Sequence, residues 1–238
     1  MNLAIVKGVS LIKGSPHRVA ATGEQAGMGI DGRLNVRRRV VLTGASLALL
    51  SGFIFPLWRV SLEAPQYPEG LGMYIWINTI TGQQKHDLQK INGLNHYIGM
   101  KEIIPESIPE LTYMPLFLVG LVFVGIAAGV SGYRKLAIAW LALFTVLILA
   151  GLVDFYIWEY NYGHNLNPRA AIKIPNMTYQ PPLLGSKKLL NFTAVSLPAI
   201  GGILMALSFC AGVWTTFDVR RLAMRLLKSK KSGDRYAV

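Results

Sequence analysis

The chain has 238 residues, of which 52% are hydrophobic and 15% charged, with a mean hydropathy of +0.39 and a formal net charge of +12. That balance is too apolar for an ordinary soluble domain. A single cysteine excludes an intrachain disulfide and C-x-x-C-H haem attachment, and the absence of G-x-x-x-x-G-K-[ST] leaves no nucleotide-driven motor.

Residues 1–39 hold seven Lys/Arg, scattered glycine and serine and no sustained period, which predicts a disordered basic tail. Arg37, Arg38 and Arg39 then precede an apolar run at 40–57 that closes in Phe53, Phe55, Pro56, Leu57 and Trp58. No A-x-A-like cleavage site follows. The aromatic end therefore reads as an interface belt on a retained transmembrane helix over 40–60.

Segment 61–112 is predicted to be an extracytoplasmic loop domain. Met73, Ile75 and Ile77 alternate with Tyr74, Trp76 and Asn78, a strand-like or interface-lying stretch that ends at Thr81-Gly82. From Asp87, a candidate N-cap, Leu88, Ile91, Leu94, Asn95 and Ile98 recur at helical spacing. Gln89, Asn92, His96 and Met100 take the opposite side, so His96 and Met100, four residues apart, are expected to stack on one exposed helix face.

Apolar runs at 115–131 and 136–153 predict transmembrane helices over 113–131 and 136–157, joined by a cytoplasmic turn at 132–135 that carries Arg134 and Lys135. Gly125 and Gly129 form a G-x-x-x-G suited to close packing inside the bundle. Asp154 ends the second of these runs, and a hydrogen bond or a pair with Arg59 or Lys187 at headgroup level is expected for it. Residues 158–192 form a second outward loop, rich in aromatics and proline, predicted to fold over the first into one small mixed cap. A fourth transmembrane helix is predicted over 193–215, with Cys210 buried in it as a packing residue, before a basic tail at 216–238.

These readings sum to an all-α membrane protein with four transmembrane helices and two long extracytoplasmic loops. Sixteen of the 24 Lys/Arg lie in the two tails and the 132–135 turn, which by the positive-inside rule places both termini in the cytoplasm. Anionic lipid accounts for the basic tails, and nucleic acid is not expected as a partner.

None of the four histidines falls in an apolar run, so no membrane-embedded haem is expected. Imidazole with thioether suits copper, because soft sulfur selects Cu(I) and imidazole accepts either oxidation state. His96 and Met100 are the candidate metal ligands, and the facing loop offers His164 and Met177. Met73, His86 and Met114 are further outward donors.

Three stretches carry a resemblance. They are Ala64-Pro65-Gln66-Tyr67-Pro68-Glu69-Gly70-Leu71, then Ile91-Asn92-Gly93-Leu94-Asn95-His96-Tyr97-Ile98-Gly99-Met100, and then Trp158-Glu159-Tyr160-Asn161-Tyr162-Gly163-His164-Asn165-Leu166 with the run from Tyr179 to Phe192. Together they resemble a family of bacterial inner-membrane proteins encoded in the accessory gene clusters of nitrous-oxide reductase, a periplasmic copper enzyme. The match covers roughly residues 40–215. It implies a non-enzymatic accessory protein for copper handling or enzyme assembly, with a periplasmic copper chaperone or the copper enzyme as partner. The alternative is a membrane subunit of an electron-transfer complex, docking a periplasmic cytochrome or binding quinol near Arg59, Asp154 and Glu159.

Overall fold

A computed structural model describes residues 32–217, apart from 173, 175–177 and 190. Five α-helices, α1 (Val36–Ala48), α2 (Asp87–Ile98), α3 (Glu110–Ser131), α4 (Arg134–His164) and α5 (Ile200–Thr216), accompany five strands, β1 (Trp58–Ala64), β2 (Tyr67–Ile75), β3 (Ile80–Gly82), β4 (Gly185–Leu189) and β5 (Phe192–Pro198). The strands form one antiparallel sheet in the order β3-β2-β1-β5-β4. Both long segments contribute to it, three strands from the first and two from the second.

Local chemistry sets the first hairpin. Ala64 pairs with Tyr67 across Pro65 and Gln66, where proline supplies the φ that a tight turn needs. The register shifts between Leu62 and Ala64, and Gly70 takes up the bulge at φ +73°, a conformation that a side chain would oppose. β5 closes the other side of β1, with Ser196 buried opposite Val60. Its hydroxyl accepts from Trp58 Nε1 at 2.8 Å and donates to the Leu183 carbonyl at 3.1 Å, so the buried polar group is satisfied.

α2 packs on β2 and β3, burying Ile91 with Val60, Leu71, Met73, Ile80 and Ile103. Asn92 grips Ile103 through both backbone groups, accepting from its N–H at 2.8 Å and donating to its carbonyl at 3.1 Å. The last turns of α4 complete this core with Phe155, Trp158 and Tyr162, and the Tyr162 hydroxyl donates to the Glu102 carbonyl at 2.9 Å. One continuous helix thus joins the cap to the helices below. Asp87, expected as the N-cap of α2, is instead its first helical residue, after His86. Its buried Oδ2 accepts from the N–H groups of Gly72 and Gln84, which fastens β2 to the helix start.

Below the sheet, α1 packs against α3 and α5, and α4 against the same two. The G-x-x-x-G packs inside this bundle: a Cβ on Gly125 would strike Ser46 and Trp140, and one on Gly129 would strike Thr43. Trp140 is fully buried, donates to the Leu121 carbonyl at 2.9 Å and stacks edge to face on Phe144. Arg39 donates to the carbonyls of Gly129 and Val130 and so caps the end of α3.

The expected all-α fold with four transmembrane helices is overturned. The molecule is mixed α/β, and among the described residues two helices rather than four are long and apolar enough to cross a membrane: α3, with 22 residues and a mean hydropathy of 2.2, and α4, with 31 residues and 2.7. Alternation and hydrogen-bond demand explain the difference. The run taken for a fourth span begins as β5, and only after Pro198 and the extended Ala199 does α5 start, leaving 17 helical residues. The first run ends its α-helix at Ala48, passes through a 3₁₀ turn at Leu49–Phe53 and becomes a strand at Trp58. A soluble core helix does not fit α3 or α4, since only 33% and 22% of their apolar stretches are buried. Phe123, Val130, Val146, Leu149 and Val153 stand outward instead.

The disorder expected for the basic tail at 1–39 lies outside the described residues over 1–31, and over 36–39 the chain instead begins α1; of the basic tail expected at 216–238, residues 218–238 also lie outside them. At 32–34 the backbone pairs with the α3–α4 turn, where Arg33 bridges Tyr133 and the Leu34 N–H donates to Gly132 at 2.8 Å.

Candidate functional site

α2 ends at Ile98, and Gly99 follows in the left-handed region at φ +82°. The N–H of Gly99 returns to His96 and that of Met100 to Asn95, a Schellman-type stop. Met100 therefore falls beyond the helix, and the expected stacking of His96 and Met100 on one helical face does not form. His96 is exposed in the last turn with its ring edge to face with Tyr97, while Met100 is half-buried. Gly99, read only as part of the resemblance, is what separates them.

The second loop does reach this end of α2. Asn167 N–H donates to the Gly99 carbonyl at 2.7 Å, and Ile172 N–H to that of Tyr97 at 2.9 Å. His164, the last residue of α4, stacks on Tyr160 with centroids 3.9 Å apart, and its Nδ1 lies 3.0 Å from the Tyr160 carbonyl. A carbonyl oxygen only accepts, so Nδ1 carries a proton, and in the neutral ring Nε2 is the nitrogen with the free lone pair. Met177 lies outside the described residues. Of the remaining donors, Met73 is buried in the cap core, His86 faces Gln89 at 3.1 Å and Met114 belongs to α3. Among the described residues no three of His, Cys, Asp and Glu converge as metal ligands.

A second feature lies where the sheet meets the bundle. α3, α4 and α5 part there around a cavity of about 590 Å³ closed above by β1, β2 and the chain before β3. Its lining is almost wholly apolar, and the acids that border it are Glu110 and Asp154, both exposed. Asp154 makes neither of the expected pairs: the ion pair found among the described residues is Lys90–Glu69, and Lys187 donates to the Gln180 carbonyl at 3.1 Å. Cys210, expected to be buried, is exposed and lines this cavity near Met205.

Glu159 stands apart. It lies beyond the apolar run of α4, in the turns that pack into the cap, and is only 1% exposed with no partner for either carboxylate oxygen. Burial pushes its carboxyl up from 4.5 to about 7. One turn on, Gly163 has no room for a side chain, because Gln180 lies against it, and the Tyr179 N–H donates to the Gly163 carbonyl at 3.0 Å. The buried Tyr179 hydroxyl also lacks a partner. Sequence reasoning placed Glu159 at headgroup level; its burial, and the crossing of α4 at Gly163 by the 179–180 segment, are announced by no periodicity.

Comparison of the chain with models of known protein families, with curated proteins and with solved structures finds no match.

Proposed function

We propose that this chain is a non-enzymatic accessory protein of the bacterial inner membrane, anchored by the α3–α4 hairpin, whose outward cap handles copper for a periplasmic enzyme of the nitrous-oxide reductase type. The resemblance at 64–71, 91–100, 158–166 and 179–192 supports the biological setting. The imidazole of His164 is the observation that carries the chemistry: Nδ1–H is held by a backbone carbonyl, leaving Nε2 as the donor, which is how metal-bound histidines are oriented. The loop that follows it is bonded to Tyr97 and Gly99, which lie between His96 and Met100 at the end of α2.

Placement follows from charge. Arg134 and Lys135 begin α4 at the turn, Arg39 caps α3 beside it, and Arg38 lies 5.9 Å over the Trp214 ring, so the start of α1 and the end of α5 share this basic end. The positive-inside rule puts that end, and with it both termini, in the cytoplasm and the sheet outside.

The test is Cu(I) retention by purified protein in detergent against a competing chelator. His164→Ala is expected to weaken retention at least tenfold, with smaller losses for His96→Ala and for Met100→Leu, which keeps volume while deleting sulfur. Unchanged retention in all three variants at native protein levels would remove copper from the reading.

A further inference from the structure

Glu110 opens α3, and Asp154 lies in α4, which starts at Arg134. At 1.5 Å per residue each stands about 30 Å from the α3–α4 turn, and that is roughly the thickness of a bilayer's hydrocarbon core. The two carboxylates thus mark one level, at the outer limit of the apolar helix surface. Both border the same cavity. Trp58, Phe155 and Trp158 contribute flat aromatic surface to its walls, with Trp58 and Phe155 edge to face at 5.9 Å, while the rest of the lining is chiefly aliphatic. Among the described residues lining it there is no Lys, Arg or His.

We propose that this cavity binds a quinol, its hydroxylated ring among Trp58, Phe155 and Trp158 at the level of Glu110 and Asp154, and its isoprenoid tail in the apolar space below. The proposal rests on the membrane placement given above and is independent of copper. Aromatic walls favour a flat ring over a branched polar head. Carboxylates accept hydrogen bonds from phenolic O–H groups, and such charge-assisted bonds are stronger than neutral ones. The oxidised quinone carries carbonyls only and offers these acids no donor, so the site distinguishes the two forms. A phosphate-bearing lipid would bring its anion against two acids with no cation in the lining to offset the repulsion. The volume of about 590 Å³ falls within the range of small-molecule sites.

The test uses the full chain in phosphatidylcholine nanodiscs at pH 8, titrated without oxygen with decyl-ubiquinol and, separately, with the matching quinone, and followed by tryptophan fluorescence. Quinol is expected to bind at least tenfold more tightly, the effect of about one charge-assisted hydrogen bond. Asp154→Asn and Glu110→Gln together should erase that preference, because the amides lose the charge that favours the quinol hydroxyls and gain N–H groups that can donate to the quinone carbonyls. Gly151→Phe, at a position where an added Cβ meets only the Met114 methyl at 3.3 Å, should fill the cavity and abolish both titrations. If that variant fails to fold, the acid substitutions decide alone, since they conserve volume. Equal affinity for quinol and quinone, or a preference that survives the double substitution, overturns the proposal. Loss of quinol binding when phosphatidylethanolamine replaces phosphatidylcholine overturns it too, by identifying an amine lipid as the occupant. Copper retention by the His164 variants is read separately, so either proposal can fail without the other.

Discussion

Near the α3–α4 turn, Gly125 and Gly129 let α3 close on Ser46 and Thr43 of α1, and Gly212 of α5 lies against the Trp140 ring. At the sheet end, α3, α4 and α5 stand apart around about 590 Å³. The contrast shows small residues deciding where helices may touch, because they let two backbones approach closely enough for van der Waals packing along their length. At the sheet end Gly201 and Gly202 admit the backbone of 55–57 and Gly151 meets only the Met114 methyl, so these glycines do not draw α3, α4 and α5 together and space is left between them. The packed half holds the molecule together and the open half is available to a ligand.

Substituting glycine in each half breaks or sharpens this comparison. Gly125→Val should have the largest effect, about 4 kcal/mol of lost stability, from overpacking against Trp140 and loss of that indole's hydrogen bond to Leu121. Thermal unfolding in detergent followed by tryptophan fluorescence measures it, and a melting temperature within a degree of the unaltered chain would show that the contact is not close.

The cap gives the next largest effect. Glu159 has a folded pKa raised from 4.5 to about 7, so at low pH both states are protonated and it costs nothing. As pH rises through that window the unfolded chain releases the proton first, and stability falls until the loss is complete above about pH 7, at roughly 3 kcal/mol. Glu159→Gln should flatten this decline relative to the unaltered chain, leaving the variant more stable at pH 8 and little changed at pH 4. Parallel pH profiles for the two proteins would mean that the carboxylate reaches a partner or water.

Gly151→Ala should have the smallest effect. The added methyl meets only the mobile end of Met114, and helix propensity favours alanine by about 1 kcal/mol. The variant should melt slightly above the unaltered chain, and a large drop would erase the difference between the two halves of the bundle.

Parts of this arrangement were legible beforehand. The alternation at Met73–Asn78 pointed to extended chain, and β2 covers its first half. The period from Leu88 to Ile98 gave α2 its buried Ile91 and Asn95. The mixed sheet was not legible as a sheet, because Trp58–Ala64 and Phe192–Pro198 each adjoin an apolar run and read as its continuation. Only their mutual pairing, Trp58 opposite Pro198 and Glu63 opposite Thr193, makes them strands. Of the candidate metal residues, the orientation of His164 depends on a carbonyl four residues back in its own helix, whereas Met100 was displaced by the αL glycine before it.

Hydropathy and charge by themselves determined the α3–α4 hairpin, since a run of about twenty apolar residues on each side of a basic turn needs no partner to be helical. The G-x-x-x-G spacing likewise pointed to the small-residue contact at Gly125 and Gly129. Tertiary structure alone decided which apolar segments became strands, the burial of Glu159, and the placing of Glu110 and Asp154 on one cavity. The physical reason is range: helical hydrogen bonds close within four residues and leave a local period. Here β1 and β5 satisfy their backbone groups across more than 130 residues, from Trp58 to Pro198, and a window of sequence carries no mark of the partner.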